Sequence, residues 1–231
     1  MTNLERFDSI VDLACVINLP KRIDRWEAFQ QRIAEYLPVE RILRVDAIDG
    51  QSVQCPANWS DSAGHYGCLL SFMKVFDIAI ERKSRNVLVF EDDVCLRPTW
   101  LRYLQFGFKE LPTNWVVLNL GPRYKPGIQP HRYHSQHLVR CFKAFANHAV
   151  MFNGVYLERL KSVIQQRVEL TGKNMDAHLR YLQRRDSSMQ YFALRPNQAW
   201  QVAGVGDTSG YAILQDTFWD DGKGTQIKVT N

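Results

Sequence analysis

Apolar residues in this chain fall into two patterns: short unbroken runs, and longer segments where they recur every three or four positions. Leu13 to Leu19, Asn86 to Phe90, Trp115 to Leu120, Leu138 to Phe142, Ala149 to Phe152 and Tyr191 to Leu194 belong to the first kind. A run without polar alternation predicts a strand buried on both faces of a largely parallel sheet. Arg41 to Ile48, carrying Ile42, Leu43 and Val45, predicts one more strand, closed by the Asp49-Gly50 turn. The periodic segments predict helices. Trp26, Phe29, Ile33 and Leu37 share one face behind Asp24 as N-cap. Leu69, Phe72, Phe76 and Ala79 form the inward stripe of a helix from about Cys68 to Arg82, with Lys74 and Asp77 outward. Leu101, Leu104 and Phe108 mark a helix that opens near Pro98 and stops at Pro112. Asn153 caps a helix containing Val155, Leu157, Leu160 and Ile164, and Asn174 caps another with Leu179 and Leu182. Strands alternating with helices predict a single α/β layer sandwich.

Glu91, Asp92 and Asp93 stand where the Asn86 to Phe90 strand emerges. Grouped carboxylates repel one another, and burying them unpaired is costly. A divalent cation removes both costs, because hard cations take oxygen ligands. The crevice beyond the carboxyl ends of the strands is also where open α/β sheets bind ligands. The same three residues fit a solvated acidic turn equally well. Arg22 and Arg25 lie at a strand-to-helix junction, where cations and helix amides meet a phosphate or nucleotide. They also fit surface charge, with Arg25 paired to Asp24. Ser71 either reaches a ligand or satisfies itself on a backbone carbonyl. Asp176 falls in the first turn of its helix, where a carboxylate complements the helix dipole. His131, His134 and His137 have the spacing of a metal comb. They lie in a Pro/Gly segment with Arg123, Lys125 and Arg132, without a cysteine or an acidic neighbour, and read as a basic loop over the site rather than a zinc centre.

Composition changes this picture little. A chain of 231 residues holds one large α/β domain or two small ones. Its 45% hydrophobic, 12% aromatic and 23% charged residues are those of an ordinary globular protein. No apolar run approaches the roughly 20 residues needed to span a bilayer. The first eight residues lack the layout of a signal peptide, so a cytoplasmic location is expected. The five cysteines are scattered and read as buried thiols. The net charge of +5 suits a phosphate-bearing ligand or a peripheral stay at an anionic membrane surface. Without basic blocks or an aromatic-basic repeat, nucleic acid is not an expected partner.

The order of the motifs says more than any one of them. Val16-Ile17-Asn18-Leu19-Pro20-Lys21-Arg22-Ile23-Asp24-Arg25 resembles the opening strand of glycosyltransferase family 25, the lipopolysaccharide-biosynthesis and procollagen-galactosyltransferase-like enzymes. Gly67-Cys68-Leu69-Leu70-Ser71-Phe72 is similar to that family's Gly-Cys-x-x-Ser-His helix start, and Val87 through Asp93 to its Glu-Asp-Asp metal motif. His148-Ala149-Val150, Asn174-Met175-Asp176 and Pro196 through Gln201 resemble its later blocks, so the likeness runs from about Ala14 to Gln201. Pro20 stands where an acidic residue is usual, Phe72 where His is, and Val150 where Tyr is. The family's Ser-Asp-Ile close is not present, and Asp207 is the nearest substitute.

The resemblance implies one GT-A-type domain over residues 1–231, with a Rossmann-like nucleotide-binding sheet flanked by helices and a tail from 204 to 231. It implies transfer of a hexose, galactose or glucose, from a nucleotide sugar, UDP-linked, with inversion at the anomeric carbon. The acceptor is a hydroxyl of a glycan, a lipid-linked saccharide or a protein. Mn²⁺, or alternatively Mg²⁺, is implied at Asp93 with Glu91, while Glu91 faces the ribose. Asn18, Leu19, Arg22, Arg25, Ser71, Glu91 and Asp92 are the implied nucleotide-sugar contacts, and Asp176 is the candidate general base. The alternatives are an inactive relative that binds a nucleotide sugar or glycan, and a metal-dependent phosphohydrolase or receiver-like domain. A receiver keeps acidic residues after its first strand, where this chain has Asn18-Leu19-Pro20.

Overall fold

The computed structural model describes residues 1–124 and 131–202, with four short strand pieces at 204–205, 212–213, 217–219 and 226–228. Lys125 and Asp207 lie outside the described residues, as does the rest of the tail apart from those pieces. The elements relevant to the site are β1 (Leu13–Asn18), β2 (Leu43–Asp46), β3 (Asn86–Glu91), β4 (Val94–Leu96) and β5 (Trp115–Asn119). They continue with β6 (His131–Tyr133), β7 (Leu138–Cys141), β8 (Ala149–Asn153), β9 (Gln190–Leu194) and β10 (Ala199–Gln201). The helices are α1 (Asn3–Asp8), α2 (Ile23–Ala34), α3 (Ala63–Glu81), α4 (Trp100–Glu110), α5 (Leu157–Thr171) and α6 (Met175–Arg185).

Eight strands form one sheet in the order β2-β1-β3-β8-β5-β9-β7-β6. β1 pairs parallel with β2 and β3, and β5 with β9. β8 runs against both β3 and β5, and β7 against both β9 and β6. The α/β expectation holds, and the sheet is mixed: β7 and β8 are reversed among strands that otherwise point one way. Burial on both faces explains the unbroken apolar runs. Along β1, Leu13, Cys15 and Ile17 face one core layer, while Ala14 and Val16 face the other. That period of two hands one layer to α3, α5 and α6 and the other to α1, α2 and α4. Trp100 anchors the second layer, with Phe7, Tyr36 and Phe90 at centroid distances of 6.4, 6.4 and 6.0 Å, all edge-on. No helix among the described residues is long and apolar enough to cross a membrane.

Two helix starts differ from the sequence expectation. α2 begins at Ile23 with Arg22 in the cap position and no side-chain cap bond, so Asp24 sits inside the first turn. α3 begins at Ala63 rather than near Cys68, because Ser62 caps it by accepting a hydrogen bond from the His65 N–H. The early start drives the helix against the loop after β2. A Cβ on Gly67 would lie 2.3 Å from the Ile48 carbonyl oxygen, so only glycine allows this approach. Asn153 caps a 3₁₀ turn, Gly154–Tyr156, that leads into α5, and Asn174 caps α6. The expected basic loop before Ser135 includes the short edge strand β6.

Candidate active site

Glu91 is the last residue of β3 and lies beside Ile17 of β1. The chain then turns through Asp92-Asp93 into β4, which pairs antiparallel with β10 and sets Gln201 opposite Val94. The three carboxylates have separate fates. Asp92 turns back into the protein and is 7% exposed. Its Oδ2 accepts from Asn18 Nδ2 at 2.7 Å, and its Oδ1 from Arg25 Nη1 at 3.0 Å. The Asp92 carbonyl accepts from Arg32 Nη2 at 2.6 Å. Asn18 is fixed in turn by Arg44, whose Nε and Nη2 donate to its Oδ1 at 3.0 and 2.7 Å. Asp92 is thus a latch that ties β3 to β1, α2 and β2.

Glu91 and Asp93 line a cavity without such partners from β1, and Asp92 contributes to its wall. The Gln201 amide nitrogen lies 3.1 Å from Glu91 Oε2 and 3.4 Å from each Asp93 carboxylate oxygen, so one small donor spans both groups. Arg25 Nη1 is 3.6 Å from Asp93 Oδ2. Burial pushes the Glu91 carboxyl well above the usual range, helped by the charges of Asp93, Asp176 and Asp92. Burial, with the Asp92 charge, likewise raises Asp93 to about 6, against the opposing pull of Arg25.

Leu19, Arg25, Ser71, Glu91, Asp92 and Asp93, all singled out in the sequence, line this one cavity of about 110 Å³. Asn18 stands behind it as the partner of Asp92. The structure separates the two arginines differently from the surface pairing considered above. Arg22 grips the Asp24 carboxylate through Nε and Nη2 at 2.9 and 2.7 Å, and it is not part of the cavity lining, while the Arg25 side chain reaches Asp92. The Ser71 hydroxyl donates to the Gly67 carbonyl at 2.7 Å and accepts from the Ile48 N–H at 2.8 Å. Fully buried, it braces the cavity wall and has no proton left for a ligand.

Asp176 lies in the first turn of α6, as expected, but its carboxylate does more than face a helix dipole. It accepts from Asn147 Nδ2 and from the backbone of Ala146, which is held at φ +69°. Burial raises its pKa, opposed by the Ala146 bond and by His65, Arg180 and Arg123. Its charge in turn raises Glu91 and Cys68, so the two carboxylates share one field. Asp176 does not itself line the cavity.

Several site residues escaped the sequence reading. Gln201 ends the Pro196–Gln201 block noted above, but its reach to the acids comes only through the β4–β10 pairing, a long-range contact. Arg32 left a trace, since it lies seven residues after Arg25 on one face of α2. Phe72, in the position of the family's His, is 1% exposed and meets Phe152 edge-on at 6.3 Å, so the hydrophobic core absorbs that change. Val150 is buried in β8. Two members of the histidine comb have separate partners. His134 packs on Phe192 at 4.8 Å, and His137 Nδ1 pairs with Glu110, an acidic partner distant in sequence.

No three His, Cys, Asp or Glu side chains among the described residues form a ready-made metal cage. The Glu91 and Asp93 pair nonetheless fits a small divalent cation. Mg²⁺-like ions use one or two carboxylates and complete their shell with waters and substrate phosphates. A cation would also offset the burial and neighbouring negative charge that raise both carboxyl pKa values, and the Gln201 amide, turned over, offers an oxygen to it.

The sequence model of Glycosyltransferase family 25 (LPS biosynthesis protein) matches residues 13–178. The chain belongs to glycosyltransferase family 25. It is accordingly a glycosyltransferase, an enzyme with a sugar donor and an acceptor, and the family match takes in every site residue above except Gln201. No curated protein matches. Among solved structures, the chain is similar to mannose-1-phosphate geranyltransferase from Thermus thermophilus, at 12% identity and TM-score 0.45, over 79% of this chain and 73% of that one. It is similar to a glycosyltransferase involved in glycosylation of the major capsid of PBCV-1, at 13% identity and TM-score 0.43, over 74% and 72%. A197 from STIV shows 10% identity and TM-score 0.45 over 95% and 94%. At TM-scores below 0.5, none of these likenesses bears on what this family 25 chain does.

Proposed function

We propose that this chain is a metal-dependent, inverting hexosyltransferase that moves galactose or glucose from a UDP-linked donor to a hydroxyl of a glycan, lipid-linked saccharide or protein. The observation that carries the reading is the paired, buried Glu91 and Asp93 at the end of β3, beside an Asp92 that is hydrogen-bonded to Asn18 and Arg25. The cavity gathers Arg25 and the loop after β2 around them, so the phosphates of a donor would meet the acids and the arginine together. Asp93 and Glu91 would hold Mn²⁺ or Mg²⁺, with Gln201 beside them. When bound, the cation screens the charge that builds on the leaving diphosphate and acts as a Lewis acid.

The rest of the chemistry belongs to the chain. Arg25 keeps Asp92 turned away and adds positive charge at the cavity wall. The acceptor hydroxyl attacks the anomeric carbon from the face opposite the diphosphate. A carbon–oxygen bond forms there as the bond to the phosphate oxygen breaks, and the bonding pair leaves with UDP. The hydroxyl proton goes to Asp176. Its raised pKa improves it as a proton acceptor, and general-base help of this kind contributes ~10²–10⁴ in rate. Such an enzyme would work in the cytoplasm or at the membrane periphery, where a lipid-linked acceptor is presented. The test is a screen of nucleotide sugars with Mn²⁺, reading released nucleotide and anomeric configuration by NMR. A single donor consumed with inverted product supports the reading. Donor binding without turnover, across a broad acceptor panel, would favour an inactive relative.

A further inference from the structure

A second cavity, of about 460 Å³, runs beside the outer face of α6. Arg180, Arg184 and Arg185 line it from the helix, Arg167 from α5, and Lys143 from the segment after β7. No carboxylate lines it, and among the described residues none of these five cations stands in an ion pair. Cations in the last turn of a helix complement its dipole, which accounts for Arg184 and Arg185. Arg180 also has the Asp176 carboxylate one turn before it, which leaves Arg167 and Lys143 without such a role. Arg180 and Arg184 are like charges one turn apart, an arrangement that weakens a helix unless something of opposite sign lies between them.

The groove is built rather than incidental. The Arg167 guanidinium carbon lies 3.4 Å from the Tyr181 ring centroid, which fixes its plane, and its buried Nε makes no hydrogen bond. Lys143 is held near α6 because Gln183 brackets the next residue: its Oε1 accepts from the Ala144 N–H at 2.8 Å, and its Nε2 donates to the Ala144 carbonyl at 3.0 Å. The same segment continues to Ala146 and Asn147, which hold Asp176. The candidate base and the basic groove are therefore two ends of one clamp. Arg180 and Arg184 follow Asp176 by four and eight residues, roughly 6 and 12 Å along the helix.

We propose that this groove is the acceptor subsite for phosphoryl groups on an anionic saccharide, set within a short oligosaccharide's reach of the hydroxyl that Asp176 deprotonates. The proposal rests on the transferase reading for its orientation. Guanidinium forks grip phosphate oxygens in pairs. The exposed edge of Tyr181 offers an adjoining sugar ring an apolar contact. One aromatic among five cations is too few to stack successive nucleic-acid bases.

The test titrates the full chain by calorimetry, at one salt concentration, with mannotriose bearing a 6-phosphate and with unmodified mannotriose. Preference for the phosphorylated sugar by about tenfold or more, lost to a similar extent in the Arg180→Gln/Arg184→Gln double variant, is expected. The Arg180→Lys/Arg184→Lys variant keeps the charge and is expected to retain part of that preference. Melting curves and UDP–Mn²⁺ affinity, unchanged in both variants, show that fold and donor site survive. Equal affinity for the two sugars, or an unchanged preference in the Gln double variant, overturns the proposal. So does capture of the protein by phosphatidylglycerol vesicles through the same arginines without binding of the phosphosugar, which makes the groove a membrane contact. Failure of wild-type protein to bind UDP–Mn²⁺ would instead remove the donor reading, and the phosphosugar titration would still decide the groove.

Discussion

The acidic cavity and the basic groove carry like charge in opposite sign, and they are built in opposite ways. Glu91 and Asp93 are held at a strand end inside the protein, so burial and neighbouring carboxylates hold their carboxyl pKa values up. The groove's cations lie along α5, α6 and the segment after β7, where water limits their repulsion and their position is set by stacking and side-chain brackets. Uncompensated charge in the first place is expensive and needs a ligand of high charge density. In the second it is cheap, and suits a larger, hydrated anion. Asp92 shows the other way the protein holds a carboxylate at this strand end: Asn18 and Arg25 hydrogen-bond it, and Arg44 fixes Asn18, while its charge is still felt by Glu91 and Asp93.

The largest effect should come from cutting the acidic side of this contrast. Asp93→Ala is expected to weaken Mn²⁺-dependent UDP binding by more than about 100-fold, beyond the usual range for residues behind a metal ligand. Calorimetry on the folded variant measures it. Retained affinity would mean that the donor lies elsewhere. Asp176→Asn comes next. It keeps the hydrogen bond with Asn147 sterically possible and removes proton-accepting power, so transfer should fall by roughly two to four orders of magnitude at unchanged donor affinity. Near-normal turnover would leave Asp176 as only the pin of the Ala146 turn.

Stability separates the latch from the ligand pair. Asp92→Ala strands Arg25 and Asn18 in a largely buried place, and a loss of ~3 kcal/mol is expected, as for one half of a buried ion pair. Glu91→Gln has the opposite sign: it removes a charge that burial and three neighbouring carboxylates disfavour, so the ligand-free protein should melt higher. Urea denaturation of both variants tests the pair. A Glu91→Gln protein less stable than wild type would show that the repulsion is already compensated.

Much of this was written in the periodicity of the chain. Unbroken apolar runs announced two-faced burial, and the position of Glu91-Asp92-Asp93 after one of them placed the cavity. The reversed direction of β8 was not legible, because a five-residue buried strand reads the same in either orientation. Nor was the division of labour among the three acids, which depends on Asn18, Arg32 and Arg44 arriving from three other elements. Gln201 was hidden because its approach depends on β10 returning to β4. The groove left a local sign in Arg180, Arg184 and Arg185. Its meaning required Arg167 and Lys143, which only the fold brings alongside.

The smallest expected effect joins the groove to the core beneath it. His178, on α6, is fully buried, and its pKa is lowered from 6.5 to about 4 by burial first and then by the Arg167 charge, against a backbone bond at Lys173. The folded value lies below the unfolded one, so between about 4 and 6.5 the unfolded chain binds more protons. The stability that depends on neutral His178 is therefore complete above about pH 6.5 and is lost as pH falls toward 4, by at most ~1.4 kcal/mol per pH unit. Asp93 works in the other direction. Raised from 3.8 to about 6, it favours folding at low pH and withdraws that contribution as pH rises through this window. The net slope mixes these with the raised Glu91 and Asp176 carboxyls, and the difference between wild type and His178→Gln in urea midpoints at pH 5 and pH 7 isolates the histidine. Arg167→Gln should flatten the same slope in part, because it removes the second cause of the shift and lets the folded pKa climb toward 6.5. If the Arg167 variant keeps the full wild-type slope while His178→Gln loses it, burial alone sets the histidine, and the groove's charge does not reach the core.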